Sequence, residues 1–220
     1  ANGVLNTNMR LQNLTTSPQA TGTLSVTNLA VLGDTIGNLD VQLNEASAKA
    51  IDSRIAINGR GNDLVVTGFY YPTPVNGNNF DLTMAVNAID LRSMEGLAQH
   101  QIRNSSGYIR GNLKIQGTMT APKITGELRT DNLKTTPVML GAPFSFPQEA
   151  IAFASDGIEF RNFKIVDTLG NRGTISGKIL TTNYRDMKLA LKIDARKLQV
   201  LNSTVQDNKL FYGKMLVSTN

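Results

Sequence analysis

The sequence predicts an all-β fold with at least ten, mostly antiparallel strands. Apolar and polar residues alternate with the two-residue period of a strand along many short stretches. Gly, Asn, Asp and Pro interrupt this alternation every few residues, as they do at turns between strands. A single stretch has the spacing of a helix instead, so we expect one short helix in an otherwise β-structured chain.

Two long runs alternate most regularly and define the faces of the predicted sheet. Each run places four apolar side chains on one face and polar or small side chains on the other. The apolar positions are Phe80, Leu82, Met84 and Val86 in the first run, and Met187, Leu189, Leu191 and Ile193 in the second. The same period occurs at Leu24/Val26, Ile55/Ile57, Leu64/Val66, Leu113/Ile115, Ile158/Phe160, Phe163/Ile165 and Met215/Val217.

The stretch with helical spacing lies between residues 93 and 102. Leu97 and Ala98 follow Met94 by three and four residues, and Ile102 follows Ala98 by four, which is the spacing of one face of a helix. Ser93 is a suitable N-cap, so we predict that the short helix begins at this residue.

Composition excludes several classes of protein. Of the 220 residues, 40% are hydrophobic and 18% are charged, so the chain is not a disordered tail. Apolar runs end within a few residues, far short of the roughly 18 that a membrane-spanning helix needs. Disulfides and thiolate metal ligands are excluded because there is no cysteine. The net charge of +5 is scattered without a basic block, so we do not expect nucleic acid as a partner.

Two parts of the sequence repeat each other. The segment Ser17–Leu29 aligns without a gap with Ala121–Leu133, which begins 104 positions later. Three further pairs follow in the same order: Gly61–Gly68 with Gly170–Gly177, Phe80–Val86 with Met187–Ile193, and Tyr108–Ile115 with Leu210–Val217. We therefore predict two modules of about 105 residues, at 17–120 and 121–220.

A tandem repeat favours one continuous sheet over residues 1–220, because stacked units pair their strand edges with their neighbours. Two independent sandwiches are the alternative, but the junction between residues 117 and 122 has no linker-like composition. The proline-containing segment Pro137–Pro147 occurs only in the second module. We expect it to break the edge of the sheet or to cover it.

The spacing of glycines around the module junction carries a resemblance to a known family. Gly111–Gly117 has the form G-x-L-x-I-x-G, and Pro122–Leu128 has the form P-x-I-x-G-x-L after a short spacer. This pattern resembles the repeat of the TamB family in the AsmA-like superfamily. The runs Gly170–Gly177, Ala195–Thr204 and Lys209–Lys214 are similar to TamB-like proteins of the Bacteroidetes.

Resemblance to this family implies an architecture and a location. The fold would be a curled sheet that forms a half-open trough, a β-taco, with an apolar concave face. The chain would be an internal or C-terminal periplasmic segment of a Gram-negative protein, anchored in the inner membrane through a part before Ala1. Its partners would be phospholipid, an outer-membrane protein of the TamA or BamA type, and unfolded strands of outer-membrane proteins.

Two functions follow from this resemblance, and a third is weighed against them. The first is phospholipid transport between the inner and outer membranes, with acyl chains held in the trough at about 0.8 kcal/mol per buried methylene. The second is a scaffold for outer-membrane protein or autotransporter assembly, acting through β-strand addition. The third, an extracellular adhesin or glycan binder, needs aromatic platforms, but the chain has no Trp and only 6% aromatic residues.

Under the trough hypothesis, lipid contacts the apolar face of the predicted strands. The candidate lining residues are Leu82, Met84, Val86, Leu113, Ile115, Phe160, Ile165, Leu189, Leu191, Ile193 and Met215. An ordinary sealed core is the alternative explanation of the same alternation. A register slip of one residue would also turn any of these side chains to the other face.

The sequence offers no catalytic centre. His100 is the only histidine, which excludes a metal site with several histidines. Asp156, Glu159 and Asp167 follow no motif of paired catalytic carboxylates. We therefore predict a non-enzymatic protein without a cofactor or a metal ion.

Overall fold

Strands make up most of the chain in the computed structural model, which describes residues 1–12, 19–47, 49–207, 210 and 212–219. The strands are β1 (Asn2–Gln12), β2 (Gln19–Val31), β3 (Asp34–Ser47), β4 (Ala50–Gly59), β5 (Asn62–Val75), β6 (Asn78–Asp90), β7 (Ile102–Gly117), β8 (Pro122–Pro137), β9 (Phe144–Phe146), β10 (Ala150–Ala154), β11 (Gly157–Asp167), β12 (Arg172–Leu180), β13 (Lys188–Ala195), β14 (Leu198–Ser203) and β15 (Gly213–Val217). In the described residues the one helix is a 3₁₀ helix, Leu91–Met94. Ser17, Pro18, Lys209 and Phe211, which belong to the sequence motifs above, lie outside the described residues.

Strands β1 to β13 form one antiparallel sheet in which neighbours in space follow one another along the chain. β9 and β10 share one position in this order, because both pair with β8 and β11. β14 and β15 pair with each other in a separate two-stranded sheet. The fold is therefore an elongated, curled, antiparallel sheet, as the sequence predicts.

The continuous sheet ends at β13 and does not extend through residue 220. In the predicted repeat β15 corresponds to β7, yet β7 pairs with β6 whereas β15 pairs with β14. The register of β6 with β7 places Ala85 opposite Asn112. The corresponding residues of the second module are Lys192 and Lys214. Like charges directly opposite each other destabilise a strand pair, which disfavours β15 beside β13.

The segment Pro137–Pro147 neither breaks an edge of the sheet nor covers it. β9 lies within this segment and fills one half of the position between β8 and β11, while β10 fills the other half. Thr130 of β8 holds the bend between the two short strands. Its N–H donates to the carbonyl of Glu149 at 2.8 Å, and its hydroxyl accepts from the Glu149 N–H at 2.7 Å. The sheet therefore continues through the proline-containing segment.

The short helix begins earlier than predicted and is of the 3₁₀ type. Asp90 caps it in place of Ser93, because the Asp90 carboxylate accepts from the Arg92 N–H at 3.0 Å. Beyond the helix the chain continues in turns. Gln99 and His100 have left-handed φ values of 52° and 55°, which end the helical path.

Glycines inside the strands allow the sheet to curl. Gly22, Gly68, Gly126 and Gly177 have φ values of 126°, 132°, 129° and 120°, which residues with a side chain rarely adopt. A Cβ atom on Gly126 would lie 2.3 Å from the carbonyl oxygen of Asn112 on β7. The strands therefore bend at points where only glycine fits, a known means of curving a sheet.

The residues after β6 show how far the sheet curls. The 3₁₀ helix packs against both β3 and β7, which are four positions apart in the strand order. The turn after it bonds β7, since Glu95 accepts from the Ser105 N–H at 2.7 Å. We name residues 91–100 the first closing segment, because they bridge strand ends on one side of the curl. β14, which follows β13 in the same way, is named the second closing segment.

Candidate functional site

Cross-strand pairing joins the apolar residues into continuous rows across the sheet. The first row runs through Leu24, Val41, Ile55, Val66, Met84, Leu113, Gly126, Phe153, Ile158, Ile179 and Leu189. The second runs through Leu5, Val26, Leu39, Ile57, Leu64, Val86, Gly111, Leu128, Ile151, Phe160, Gly177 and Leu191. The second row is apolar at all twelve positions, whereas the first is apolar from β2 to β13 and has Thr7 opposite Leu24 on β1. We name the face that carries these rows the apolar face.

Ten of the eleven residues predicted to line a groove lie on the apolar face. Met84, Val86, Leu113, Phe160, Leu189 and Leu191 belong to the two rows just described. Leu82 and Ile115 are paired with each other one step further along β6 and β7. Ile165 is opposite Gly173, and Ile193 is opposite Ile175, so both lie on the same face.

Met215 does not join the other predicted lining residues. It pairs with Leu201 in the separate hairpin of β14 and β15. In the register of β6 with β7 it would instead stand opposite Leu191. The predicted repeat placed it on the face of the main sheet, and the facing lysines described above disfavour that arrangement.

Residues of the same face that were not among the predicted lining residues extend the rows on both sides. Strands β2 to β5 contribute Leu24, Val41, Ile55 and Val66, and β10 and β12 contribute Ile151, Phe153, Ile175 and Ile179. Their two-residue alternation is visible in the sequence. This alternation is the signal that identifies them as further residues of the apolar face.

Bulges preserve the apolar face where the sequence alternation changes phase. Phe160 and Phe163 are separated by an odd number of positions, which a regular strand would place on opposite faces. The register shifts between them, and Asn162 has φ of 50°. Their rings therefore meet edge to face, with centroids 5.4 Å apart.

The apolar face is only partly buried. At its middle Val86 is 3% exposed and Leu113 is 7% exposed, while Met84 and Phe160 are half-buried. At the β13 end Leu189 is 72% exposed. The other sheet in the described residues is the β14–β15 hairpin, which has two strands. A sheet of this breadth therefore carries an apolar face without a second large sheet to cover it.

A small cavity lies where the first closing segment meets the apolar face. Its volume is about 150 Å³, and its lining is almost entirely apolar. The lining residues are Ile36, Ile57, Asn62, Leu64, Ile89, Ser93, Met94 and Leu97. The segment thus covers part of the face near the ends of β3, β4 and β5.

Asn62 fixes the first closing segment to the sheet. Its side-chain amide donates to the carbonyl of Ile36 at 2.7 Å and to the hydroxyl of Ser93 at 3.0 Å. Its carbonyl oxygen accepts from the Asp90 N–H at 2.9 Å. Because Asn62 and Ser93 are buried, these bonds satisfy polar groups that have lost water.

Asp167 fixes the second closing segment. Its carboxylate accepts from the N–H groups of Leu169, Asn171 and Gln199 at 2.8 Å each, and from the Asn171 side chain at 2.9 Å. Burial alone would raise the pKa of Asp167, but these donated bonds together hold it below its usual value. The buried charge is therefore a structural acceptor.

The polar residues considered for catalysis do not form a common site. Asp156 bonds Lys178 at 3.0 Å and Glu159 bonds Arg161 at 2.7 Å, and these bonds lower the pKa of both carboxyl groups. His100 is exposed in a turn. In the described ranges no group of three or more histidine or acidic residues could hold a metal ion. No helix of those ranges is long and apolar enough to cross a membrane.

Comparison with known proteins gives no match. No family model matches the chain, and neither a curated protein nor a solved structure does. The features of the chain that bear on its function are the geometry of the apolar face and the glycine motifs that resemble the TamB repeat.

Proposed function

We propose that the chain is a periplasmic segment of a TamB-like protein whose apolar face holds lipid acyl chains. Its role would be phospholipid transport between the inner and outer membranes. The observation that supports this proposal is the pair of apolar rows that run from β2 to β13 on a face that remains partly exposed. The glycine motifs that resemble the TamB repeat agree with it.

The dimensions of the sheet suit an extended apolar ligand. Twelve strand positions spaced about 4.8 Å apart span roughly 50 Å. Each methylene of an acyl chain buried on the face contributes about 0.8 kcal/mol. Because both rows are apolar from β2 to β13, an acyl chain lying along this part of the face would meet no side chain that requires a hydrogen bond.

The experiment that tests this proposal compares three aspartate variants on one strand. Leu189→Asp and Leu191→Asp place a charge on the apolar face, whereas Ala190→Asp places the same charge on the opposite face of β13. Leu189 and Leu191 are exposed, so we expect all three variants to fold. Lipid is measured by mass spectrometry of extracts from the purified protein and by uptake from phosphatidylethanolamine–phosphatidylglycerol vesicles.

We expect bound phospholipid to fall severalfold in Leu189→Asp and Leu191→Asp and to remain unchanged in Ala190→Asp. A photo-crosslinking residue at position 189 should capture lipid, and one at position 192 should not. Equal lipid in all three variants, or a wild-type protein without lipid, would contradict the proposal.

A second function, a scaffold for outer-membrane protein assembly with a TamA- or BamA-type partner, is favoured by one observation. β1 and β13 each pair with a single neighbour among the described strands, so each has a free edge. Free edges can add a strand from another chain.

A further inference from the structure

The outer edge of β13, on the side away from β12, presents a short row of unpaired backbone groups before Ala195. Ala195 donates its N–H to the hydroxyl of Thr219 and accepts from the Thr219 N–H, both at 2.9 Å, so its groups point away from β12. β13 pairs with β12 without a register shift, so backbone direction alternates regularly. Leu189, Leu191 and Ile193 therefore also direct their N–H and C=O groups outward. No described residue bonds these groups.

The pairing of β6 with β7 shows how a strand would fit this edge, because β6 corresponds to β13 in the predicted repeat. Thr83 of β6 is opposite Lys114 of β7, and Lys114 reaches diagonally to Asp81 at 3.5 Å. Thr83 corresponds to Ala190, and Asp81 corresponds to Lys188. The residue that would face an added strand diagonally is therefore acidic in the first module and basic in the second.

Ala190 lies among three lysines on the face opposite the apolar rows. Lys188 and Lys192 flank it two positions away on β13, and Lys178 is directly opposite on β12. Lys178 bonds Asp156 at 3.0 Å and Lys192 bonds Asp194 at 3.1 Å. No ion pair is found for Lys188 among the described residues. A carboxylate placed opposite Ala190 on the outer side would lie diagonally between Lys188 and Lys192.

The chain's own strands of matching register carry the wrong charge for this position. β15 would place Lys214 opposite Lys192, as described above. β1 corresponds to β7, and its pairing of Met9 with Gly22 matches the pairing of Leu113 with Gly126. A β1 strand from a second copy would therefore bring Arg10 opposite Ala190. Each arrangement sets like charges beside each other, which is unfavourable.

We propose that the outer edge of β13 is an acceptor for an extended strand of another polypeptide that has an acidic residue opposite Ala190 and apolar residues on either side. The apolar residues would continue the rows at Leu189 and Leu191, and the acidic residue would face the lysines. This inference specifies a partner for the strand-addition function and does not depend on lipid binding.

Fluorescence anisotropy with two labelled peptides tests the charge requirement. Both are nine residues long and alternate threonine with valine, but one has a central glutamate and the other a central lysine. We expect the glutamate peptide to bind about tenfold more tightly at low salt, with a smaller difference at high salt. Lys188→Glu combined with Lys192→Glu should reverse the preference. Equal affinity of the two peptides for the wild-type chain would overturn the proposal.

Two substitutions at position 191 test whether the backbone edge is used. Leu191→Pro removes an N–H that points outward and is not needed by β12, whereas Leu191→Ala removes only the side chain. We expect Leu191→Pro to abolish binding of the glutamate peptide and Leu191→Ala to retain most of it. Similar binding by the two variants would place the peptide elsewhere and overturn the proposal. These readouts are independent of lipid, so they can fail while the lipid experiment succeeds.

An engineered disulfide can test the register of the added strand. The natural chain has no cysteine that would compete with the introduced one. Ala190 bonds β12 through its own backbone, so the residue opposite it on the outer side is a non-hydrogen-bonded neighbour with Cα atoms about 4.5 Å apart. This distance suits a disulfide. Ala190→Cys should crosslink to a peptide with a central cysteine, and Asn8→Cys on β1 should not. Preferential crosslinking at position 8, or head-to-tail oligomers that Leu191→Pro disperses, would contradict the proposed occupant.

Discussion

The two predicted modules bend their strands alike and close their ends differently. Gly22 and Gly126 are 104 positions apart and have φ values of 126° and 129°. The chain after β6 forms a 3₁₀ helix and turns, whereas the chain after β13 forms β14. Leu91 and Leu198, which are 107 positions apart, are nevertheless both buried. Both modules therefore keep the bend of the strands and a buried leucine after the last long strand, whereas the conformation of the closing segment differs between them.

The polar group that fixes each closing segment also differs. Asn62 is neutral and serves both as donor and as acceptor for the first segment. Asp167 is a charged acceptor of four hydrogen bonds, one of which comes from the second segment. Hydrogen bonds to charged groups are the stronger ones. Although the Asn202 N–H of β14 also donates to the carbonyl of Leu140 at 2.9 Å, we expect the second closing segment to depend more heavily on Asp167 than the first does on Asn62.

The largest effect is expected where the modules agree. Gly126→Ala would force a left-handed φ on alanine and place its Cβ 2.3 Å from a backbone oxygen, at a cost of about 3 to 5 kcal/mol. Gly170→Ala is the matched control, because its φ is 81° but no atom lies within 4 Å of the added Cβ. Its cost should be about 1 to 2 kcal/mol, from conformation alone. Urea unfolding measures both, and equal losses would show that the bend is not sterically fixed.

The next effect concerns Asp167. Asp167→Ala leaves four donors without their acceptor, and we expect a loss of about 2 to 4 kcal/mol. Hydrogen exchange should show that β14 loses protection before the main sheet does. Uniform loss across the sheet would mean that β14 and the sheet unfold as one unit.

Acid should produce the same local change in the wild-type chain. Because folding lowers the pKa of Asp167, its contribution to stability is present above the unfolded value of about 3.9 and is lost as the pH falls through the folded value. Protection of β14 should therefore decrease below about pH 4. Asp167→Ala should remove this dependence, and its persistence in the variant would assign it to other carboxyl groups.

A smaller effect is expected for the anchor of the first module. Asn62→Ala removes the hydrogen bonds of a neutral amide to three partners, Ile36, Asp90 and Ser93, which should cost about 1 to 3 kcal/mol. Exchange should increase in residues 91–100 and remain unchanged in β14. An effect larger than that of Asp167→Ala would reverse the proposed order of the two anchors.

The sequence predicts most of the apolar face because strand alternation is a local property. Leu82, Met84 and Val86 lie on one face as their spacing indicates. It does not predict that β15 pairs with β14 and not with β13, because local alternation does not show which side chains, such as Lys192 and Lys214, would face each other across a strand pair. The sequence predicts that the helix begins at Ser93, whereas the 3₁₀ helix begins at Leu91. Asp90 caps it, and the hydroxyl of Ser93 bonds the side chain of Asn62. Long-range partners of this kind cannot be read from local periodicity.

The smallest effect concerns strain that only the first closing segment carries. His100 has φ of 55° in the turns after the 3₁₀ helix, whereas β14 is an extended strand. His100→Gly relieves a left-handed conformation that costs about 1 to 2 kcal/mol, but glycine loses about 0.5 to 1 kcal/mol more backbone entropy on folding. We therefore expect a net gain near 0.5 kcal/mol, measured by thermal and urea unfolding beside His100→Gln as the near-neutral control. A destabilised glycine variant would show that the imidazole makes a contact which outweighs the strain of its backbone.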